Sequence, residues 1–242
     1  MITVTLIPIL PQNDNYAYLL EGDDGSVAVV DPGDAAPIIE VLEAKGLKPD
    51  VILITHHHWD HVDGLPDMMA WHDCPVVGAA HPKNAPKVAF ARELRGGDDF
   101  KFGGESVDIL DTPGHCREHI CFYFAQSGFV LSGDALFAMG CGRILDGTPK
   151  ELYQSLKLLS ALPDDTRVYC GHEYTLSNAK FCAHIAPDNK DVLERLNAVE
   201  TLRAAGTPTV PTSIALEKKT NVFLHAKSAA EFATLRQAKD QF

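Results

Sequence analysis

No apolar run in this chain comes near the roughly 20 residues that a helix needs to span a bilayer, so no membrane-spanning helix is expected. There is no surplus of basic residues either. Lys and Arg number 21 against 33 Asp and Glu, a net charge of −12, which argues against a nucleic-acid backbone as partner, since that polyanion is held by a basic face. A small anionic substrate stays open, because a few local cations or a metal override the global field. The six cysteines (Cys74, Cys116, Cys121, Cys141, Cys170 and Cys182) include no Cys-x-x-Cys pair. The opening Met1-Ile2-Thr3-Val4 lacks the basic, apolar and small-residue succession of a secretory signal. Reduced thiols in a cytoplasmic protein are therefore the expectation; a monomer is expected as well. Short-period repeats and low-complexity segments are missing too, which leaves one large domain or a main domain with a smaller appendage in 242 residues.

What the chain does have is a dense group of ligand-type side chains. Thr55-His56-His57-His58-Trp59-Asp60-His61 puts four histidines and an aspartate within seven residues. The apolar β-branched run Asp50-Val51-Ile52-Leu53-Ile54 precedes it and reads as a buried strand. The cluster thus falls where a strand gives way to a loop, the place where open α/β sheets put their chemistry. In an extended segment His56 and His58 point to one side and His57 to the other. Imidazoles with a carboxylate suit zinc or iron.

Strand-like runs and turns alternate through the first part of the chain, at 2–10, 16–20 and 26–31, the last closed by Asp31-Pro32-Gly33-Asp34. Apolar spacing predicts a helix over 36–44 with Gly46 as its C-cap, another over 64–71, and a strand over 75–80. Strands are predicted over 98–102, 106–111, 119–125, 129–132 and 166–170, with a helix over 149–162 whose Leu152, Leu156, Leu159 and Leu162 share a stripe. Beyond His172 strand signals fade and helices are predicted over 177–185, 191–205 and 228–240. In the second of these Val192, Leu196, Val199 and Leu202 form the apolar face. The connection 206–224, with Pro208 and Pro211, reads as a long segment packed against the main domain. The expected division is 1–175 as an α/β part and 176–242 as a helical part.

Three further loops repeat the strand-then-ligand pattern. They are Ile109-Leu110-Asp111-Thr112-Pro113-Gly114-His115, Val130-Leu131-Ser132-Gly133-Asp134 and Val168-Tyr169-Cys170-Gly171-His172. Alone, each is an ordinary turn residue after a strand. Cys116, Cys141 and Cys170 lie beside these positions and read as small buried hydrophobes.

With Asp31 and the first cluster, these motifs resemble the metallo-β-lactamase superfamily, whose signature runs Asp, His-x-His-x-Asp-His, His, Asp, His. The resemblance implies an αβ/βα four-layer sandwich with all ligands on loops at one edge. It also implies two divalent metals, zinc first with iron or manganese served by the same ligands. His56, His58 and His115 would hold one, Asp60, His61 and His172 the other, and Asp134 would bridge them beside a shared hydroxide. Such a centre carries a net charge of about +1, which favours bound anions and a water of lowered pKa. Asp31 would support the ligand loop, although turn chemistry alone also explains Asp31-Pro32-Gly33.

Within the superfamily the chain resembles the hydroxyacylglutathione hydrolase (glyoxalase II) family. The likeness rests on Thr55–His61, Thr112-Pro113-Gly114-His115, Gly133-Asp134-Ala135-Leu136-Phe137, Gly140-Cys141-Gly142-Arg143, Gly171-His172-Glu173-Tyr174-Thr175 and Arg236-Gln237-Ala238-Lys239-Asp240. It implies hydrolysis of S-(2-hydroxyacyl)glutathione thioesters, chiefly S-D-lactoylglutathione. The nucleophile would be the bridging hydroxide, with Asp60 orienting it and Asp134 holding both metals. Arg236 and Lys239 of a helical substrate-binding domain over 176–242, with Arg143 and Tyr174, would grip the glutathione moiety. Two departures from the family pattern stand out. Leu145 replaces a usual aromatic, and Asn221-Val222-Phe223-Leu224-His225 replaces Asn-Pro-Phe-Leu/Met-Arg. A persulfide dioxygenase of the same superfamily, with one iron, and a closed zinc-binding module are the alternatives. The complete ligand set with the C-terminal cations speaks against the first, and the lack of cysteine ligands against the second.

Overall fold

The computed structural model describes residues 1–12, 14–79 and 89–242. The chain divides into two compact units, residues 1–111 with 118–128 and residues 112–117 with 129–242. The boundary expected near Leu176 falls inside the second unit.

The first unit is built on a six-stranded sheet in the order β1-β2-β3-β4-β5-β6. Strands β1 (Ile2–Ile9), β2 (Asn15–Gly22) and β3 (Val27–Val30) pair antiparallel. From β3 onward the pairing with β4 (Val51–Ile54), β5 (Val76–Ala79) and β6 (Arg92–Leu94) is parallel. Parallel strands covered on both faces carry unbroken apolar runs, and every residue of β3 and β5 is buried. Helix α1 (Ala35–Lys45) starts at Asp34, whose side chain accepts from the Ala36 N–H at 3.2 Å, and ends at Gly46 in the left-handed region. Its Ile38 and Leu42 are fully buried in a core with Leu19, Val29 and Ile52. Short helices α2 (Trp59–Val62) and α3 (Leu65–Trp71) follow β4. The same unit carries the antiparallel strands β7 (Asp99–Phe102), β8 (Glu105–Asp111) and β9 (Ile120–Phe124). Along β8 buried and exposed residues mostly alternate, as expected for a strand with one covered face. Residue 80, the end of one predicted strand, lies outside the described residues.

In the second unit β10 (Phe129–Gly133) is followed by the small hairpin β11 (Leu136–Phe137) and β12 (Gly140–Cys141). Helix α4 (Pro149–Ser160) opens with a capping box between Thr148 and Glu151 and buries Leu152, Leu156 and Leu159. Strand β13 (Arg167–Cys170) lies parallel to β10, with an irregularity between Leu131 and Gly133, and antiparallel to β14 (Thr212–Ser213). Helices α5 (Thr175–Ile185), α6 (Lys190–Ala204), α7 (Ile214–Thr220) and α8 (Ala229–Gln241) complete the unit. Phe223 joins them, its ring 5.7 Å from Phe181 on α5 and 6.0 Å from Phe232 on α8.

Two elements differ from expectation. The 206–224 connection contains β14 and the two-turn helix α7, whose seven residues are too few for a periodic signal. In α6 the buried face is Val192, Arg195 and Val199, whereas Leu202 stays exposed. The helix is turned so that the Arg195 guanidinium meets Glu217 of α7 at 2.6 Å, and this buried pair overrides the apolar stripe.

Removing the Leu42 side chain leaves a cavity beneath α1. Leu42→Ala is expected to lower unfolding free energy by about 2–5 kcal/mol in urea titration, and a midpoint unchanged from wild type would contradict this packing.

Candidate metal centre

The first unit holds the ligand loop through Asp31. Its backbone is in the left-handed region (φ +49°), a strain Asp tolerates better than most residues, and its N–H donates to the Leu53 carbonyl at 3.0 Å. The buried carboxylate accepts from the Thr55 N–H at 2.8 Å, the Thr55 hydroxyl at 2.7 Å and His61 Nδ1 at 3.0 Å. A carboxylate only accepts, so His61 carries its hydrogen on Nδ1 and keeps the lone pair on Nε2. Because the Thr55 hydroxyl gives its proton to Asp31, its oxygen must accept from His56 Nδ1, 3.0 Å away. His56 is thereby set in the same tautomer. One carboxylate thus prepares two imidazoles to present Nε2 to a metal, the usual work of groups behind metal ligands. Asp31, His56 and His61 bring their ligand atoms within 4.8 Å of one another.

The remaining ligand-type residues of this unit gather at the same loop. The His56 and His58 rings lie 4.6 Å apart edge to face, while His57 is half-buried against His58. His61 Nε2 is 4.0 Å from an Asp60 carboxylate oxygen. Gly33 allows the Asp31 turn to lie against this loop, since any Cβ there would collide with the Asp60 carbonyl. Two contributors had no sequence signal of their own. Asn15, fully buried at the start of β2, donates from Nδ2 to both the Asp60 carbonyl and its carboxylate at 3.2 Å. His119, buried before β9, packs its ring 5.0 Å from that of His56. A polar residue at a strand end and a histidine at a strand start look ordinary in sequence, and only the fold gives them neighbours.

The second unit carries the other three ligand-type residues at the ends of β10 and β13 and in the loop at 112–117. His115 Nδ1 donates to the Arg143 carbonyl at 2.7 Å, and a carbonyl can only accept, so the lone pair is again on Nε2. That Nε2 lies 3.5 Å from Asp134 Oδ2, and His172 Nε2 lies 3.2 Å from the same oxygen. A lone pair facing a buried carboxylate oxygen is repulsive unless a cation lies between them. A nitrogen and oxygen donor set of this kind fits a divalent metal. Tyr174 stacks on His172 with ring centroids 4.5 Å apart.

The three cations expected to receive substrate differ in setting. The Arg143 side chain is exposed. Lys239 is half-buried, donating to the Ser177 hydroxyl at 2.7 Å, and its pKa is pushed down by burial first and then by Arg236, with Arg143 a smaller contributor. Arg236 is buried, donating to the Cys141 carbonyl at 2.9 Å and pairing with Asp240 at 2.9 Å. Leu145 is exposed. Cys116, Cys141 and Cys170 are all buried, and burial pushes the thiols of Cys141 and Cys170 up to about 11 and about 12.

A model of the metallo-beta-lactamase superfamily matches residues 10–172, and one of the hydroxyacylglutathione hydrolase C-terminus matches 173–242. A hydroxyacylglutathione hydrolase of Acidiphilium cryptum (strain JF-5) is 45% identical over 99% of this chain and 97% of its own length. That of Pseudomonas fluorescens (strain SBW25) is 44% identical over the whole of both chains. Among solved structures, ETHE1 from Myxococcus xanthus superposes with TM-score 0.73 at 25% identity, covering 97% of this chain and 90% of its own. A di-iron-bound structure, TTHA1623, gives 0.67 at 28% identity, covering 91% and 100%. The fold is that of the superfamily, with a helical C-terminal region.

Two outcomes are expected. Asp31→Asn puts an amide N–H₂ beside either His61 Nδ1 or the Thr55 donors, so metal affinity should fall about 10–100-fold in competition with a chromophoric chelator; wild-type affinity would remove Asp31 from this role. Thiols whose pKa is raised stay protonated until pH approaches that raised value, so the native protein should react with few of its six cysteines in a disulfide-exchange assay at about pH 8. Denatured protein should show all six, and rapid labelling of the native protein would contradict the burial.

Proposed function

The chain belongs to the metallo-beta-lactamase superfamily and, along its length, to the hydroxyacylglutathione hydrolases, and from this we propose that it hydrolyses S-(2-hydroxyacyl)glutathione thioesters, S-D-lactoylglutathione foremost, to the hydroxy acid and glutathione. The observation that carries the reading is the convergence of His115 and His172 Nε2 on one Asp134 oxygen, with the His115 lone pair facing that carboxylate, an arrangement that a cation resolves.

In this reading His56, His58 and His115 would hold one ion, Asp60, His61 and His172 would hold another, and Asp134 would serve both; zinc is the metal proposed. When bound, such ions supply Lewis acidity, lowering the pKa of a water toward neutrality and polarising the thioester carbonyl. Asp31, Thr55 and the Arg143 carbonyl keep the ring nitrogens in the tautomer that can ligate. Asn15 holds the Asp60 carboxylate from behind. No side chain need act as an acid toward the leaving group, because a thiolate departs without protonation.

The glutathione moiety carries two carboxylates, and cations in the C-terminal region 176–242 are proposed to receive it together with Arg143. Supporting this, the pKa of Lys239 is lowered first by burial and then by the charges of Arg236 and Arg143, and a bound anion would favour its charged form. Arg143 and Lys239 are proposed as the direct contacts, Tyr174 as a wall, and Arg236 as a buried charge behind them. Among the described residues no helix is long and apolar enough to cross a membrane; a cytoplasmic monomer is proposed.

Protein stripped by a chelator should lose lactoylglutathione hydrolysis and regain it when zinc is returned. Asp134→Ala should lower kcat/KM by about a thousandfold, since several kcal/mol of Lewis-acid stabilisation goes with the shared ligand. Activity that persists in stripped protein, or an Asp134→Ala rate equal to wild type, would defeat the proposal.

A further inference from the structure

Helix α7 lies in a segment that composition and spacing read as plain connection, yet it carries a densely bonded carboxylate. Glu217 is fully buried. Its Oε1 accepts from Arg195 at 2.6 Å and from the Thr212 hydroxyl at 2.6 Å. Its Oε2 accepts from the Met139 N–H at 2.8 Å and from Asn221 Nδ2 at 2.9 Å. Asn221, also fully buried, donates to the Gly140 carbonyl at 3.0 Å and is itself fixed by the Phe223 N–H on Oδ1. Salt-bridged to Arg195 and given four donors, the carboxylate is fully satisfied, the condition under which a buried charge is tolerated.

Both residues reach into the β11–β12 hairpin. Its two-residue turn is Ala138-Met139, and Met139 has φ +56°, a conformation that disfavours a side chain and that such turns usually assign to Gly. Four backbone polar groups at the turn are met by side chains of the C-terminal region. The Ala138 carbonyl accepts from Asn178 and the Met139 carbonyl from the Cys182 thiol, both at 3.2 Å, while Glu217 and Asn221 take the Met139 N–H and the Gly140 carbonyl. The hairpin is therefore shaped from outside.

Its two ends lead straight to ligand machinery. Asp134 stands two residues before β11. After β12, Gly142 donates to the Ala135 carbonyl at 3.3 Å and passes so close to the Asp134 carbonyl that a Cβ would collide with it. The next carbonyl, that of Arg143, is the acceptor that sets the His115 tautomer. A shift of the hairpin would move both.

We propose that Glu217 and Asn221 are positioning residues for the metal centre, holding the 134–143 segment so that Asp134 and the Arg143 carbonyl stay in place for ligation. The C-terminal region then has a second task beside substrate binding, and metal retention depends on it. The inference rests on the metal-binding reading of Asp134 and His115. It also gives Asn221 a task inside a segment where the chain departs from its family pattern.

The test measures zinc stoichiometry and affinity of the full chain by competition with a chromophoric chelator, alongside thermal unfolding of the metal-free protein. Glu217→Gln keeps the shape but turns an amide N–H₂ toward two donors. Asn221→Ala releases the Gly140 carbonyl and serves if the first variant does not fold. Leu42→Ala, in the core of the first unit, is the control for loss of stability alone. The expected result is a fall in zinc affinity of about 10–100-fold in the positioning variants, with the control within about twofold of wild type. Variants that lose stability yet bind zinc as wild type does would overturn the proposal and leave the metal reading intact. Wild-type protein that binds no zinc would overturn both.

Discussion

The Asp31 carboxylate decides which nitrogen two histidines can offer. By accepting from His61 directly and from His56 through the Thr55 hydroxyl, it places both hydrogens on Nδ1 and leaves both Nε2 atoms as donors to a metal. Without that constraint each neutral imidazole would divide between tautomers, and a ring protonated on Nε2 cannot ligate through it. The geometry needed is demanding. Asp31 takes a left-handed backbone, and Gly33 and Gly64 let its turn lie close to the 58–64 loop. The sheet supplies the means, because β3 and β4 are parallel neighbours and end side by side.

The second unit reaches the same chemical end with different groups. There a backbone carbonyl, that of Arg143, orders His115. A carbonyl has no pKa in the working range, so its instruction does not vary with pH, but its position depends entirely on the path of the main chain. That dependence explains why so much buried polar structure surrounds the β11–β12 hairpin. The Glu217–Arg195 pair is a poor source of stability compared with apolar packing and a good source of fixed direction.

Much of the site was legible in the sequence, and the reason is local. His56, His58, Asp60 and His61 fall within six residues after one strand, so spacing alone exposes them. His115, Asp134 and His172 repeat the strand-then-ligand pattern, which the resemblance then ordered. The strands and long helices were readable from unbroken apolar runs, as in β3 and β5, or from a period of 2 or 3.6, as in β8 and α4. What escaped was set by contacts distant in sequence. Asn15 meets Asp60 across 45 residues, and Glu217 meets Met139 across 78. Helix α7 was too short to show a period, and α6 was rotated by Arg195 seeking that same glutamate. Arg236 and Lys239, three apart, were expected to act alike. Arg236 is buried against the Cys141 carbonyl whereas Lys239 is half-buried.

The central claim, that these five histidines and the Asp60 and Asp134 carboxylates form a two-metal centre, is tested most directly by anomalous diffraction from crystals of the zinc-loaded protein, collected on both sides of the zinc absorption edge. The account predicts two strong peaks, one bounded by His56, His58 and His115 and the other by Asp60, His61 and His172, with Asp134 in contact with each. A single peak, or two peaks away from Asp134, would contradict it.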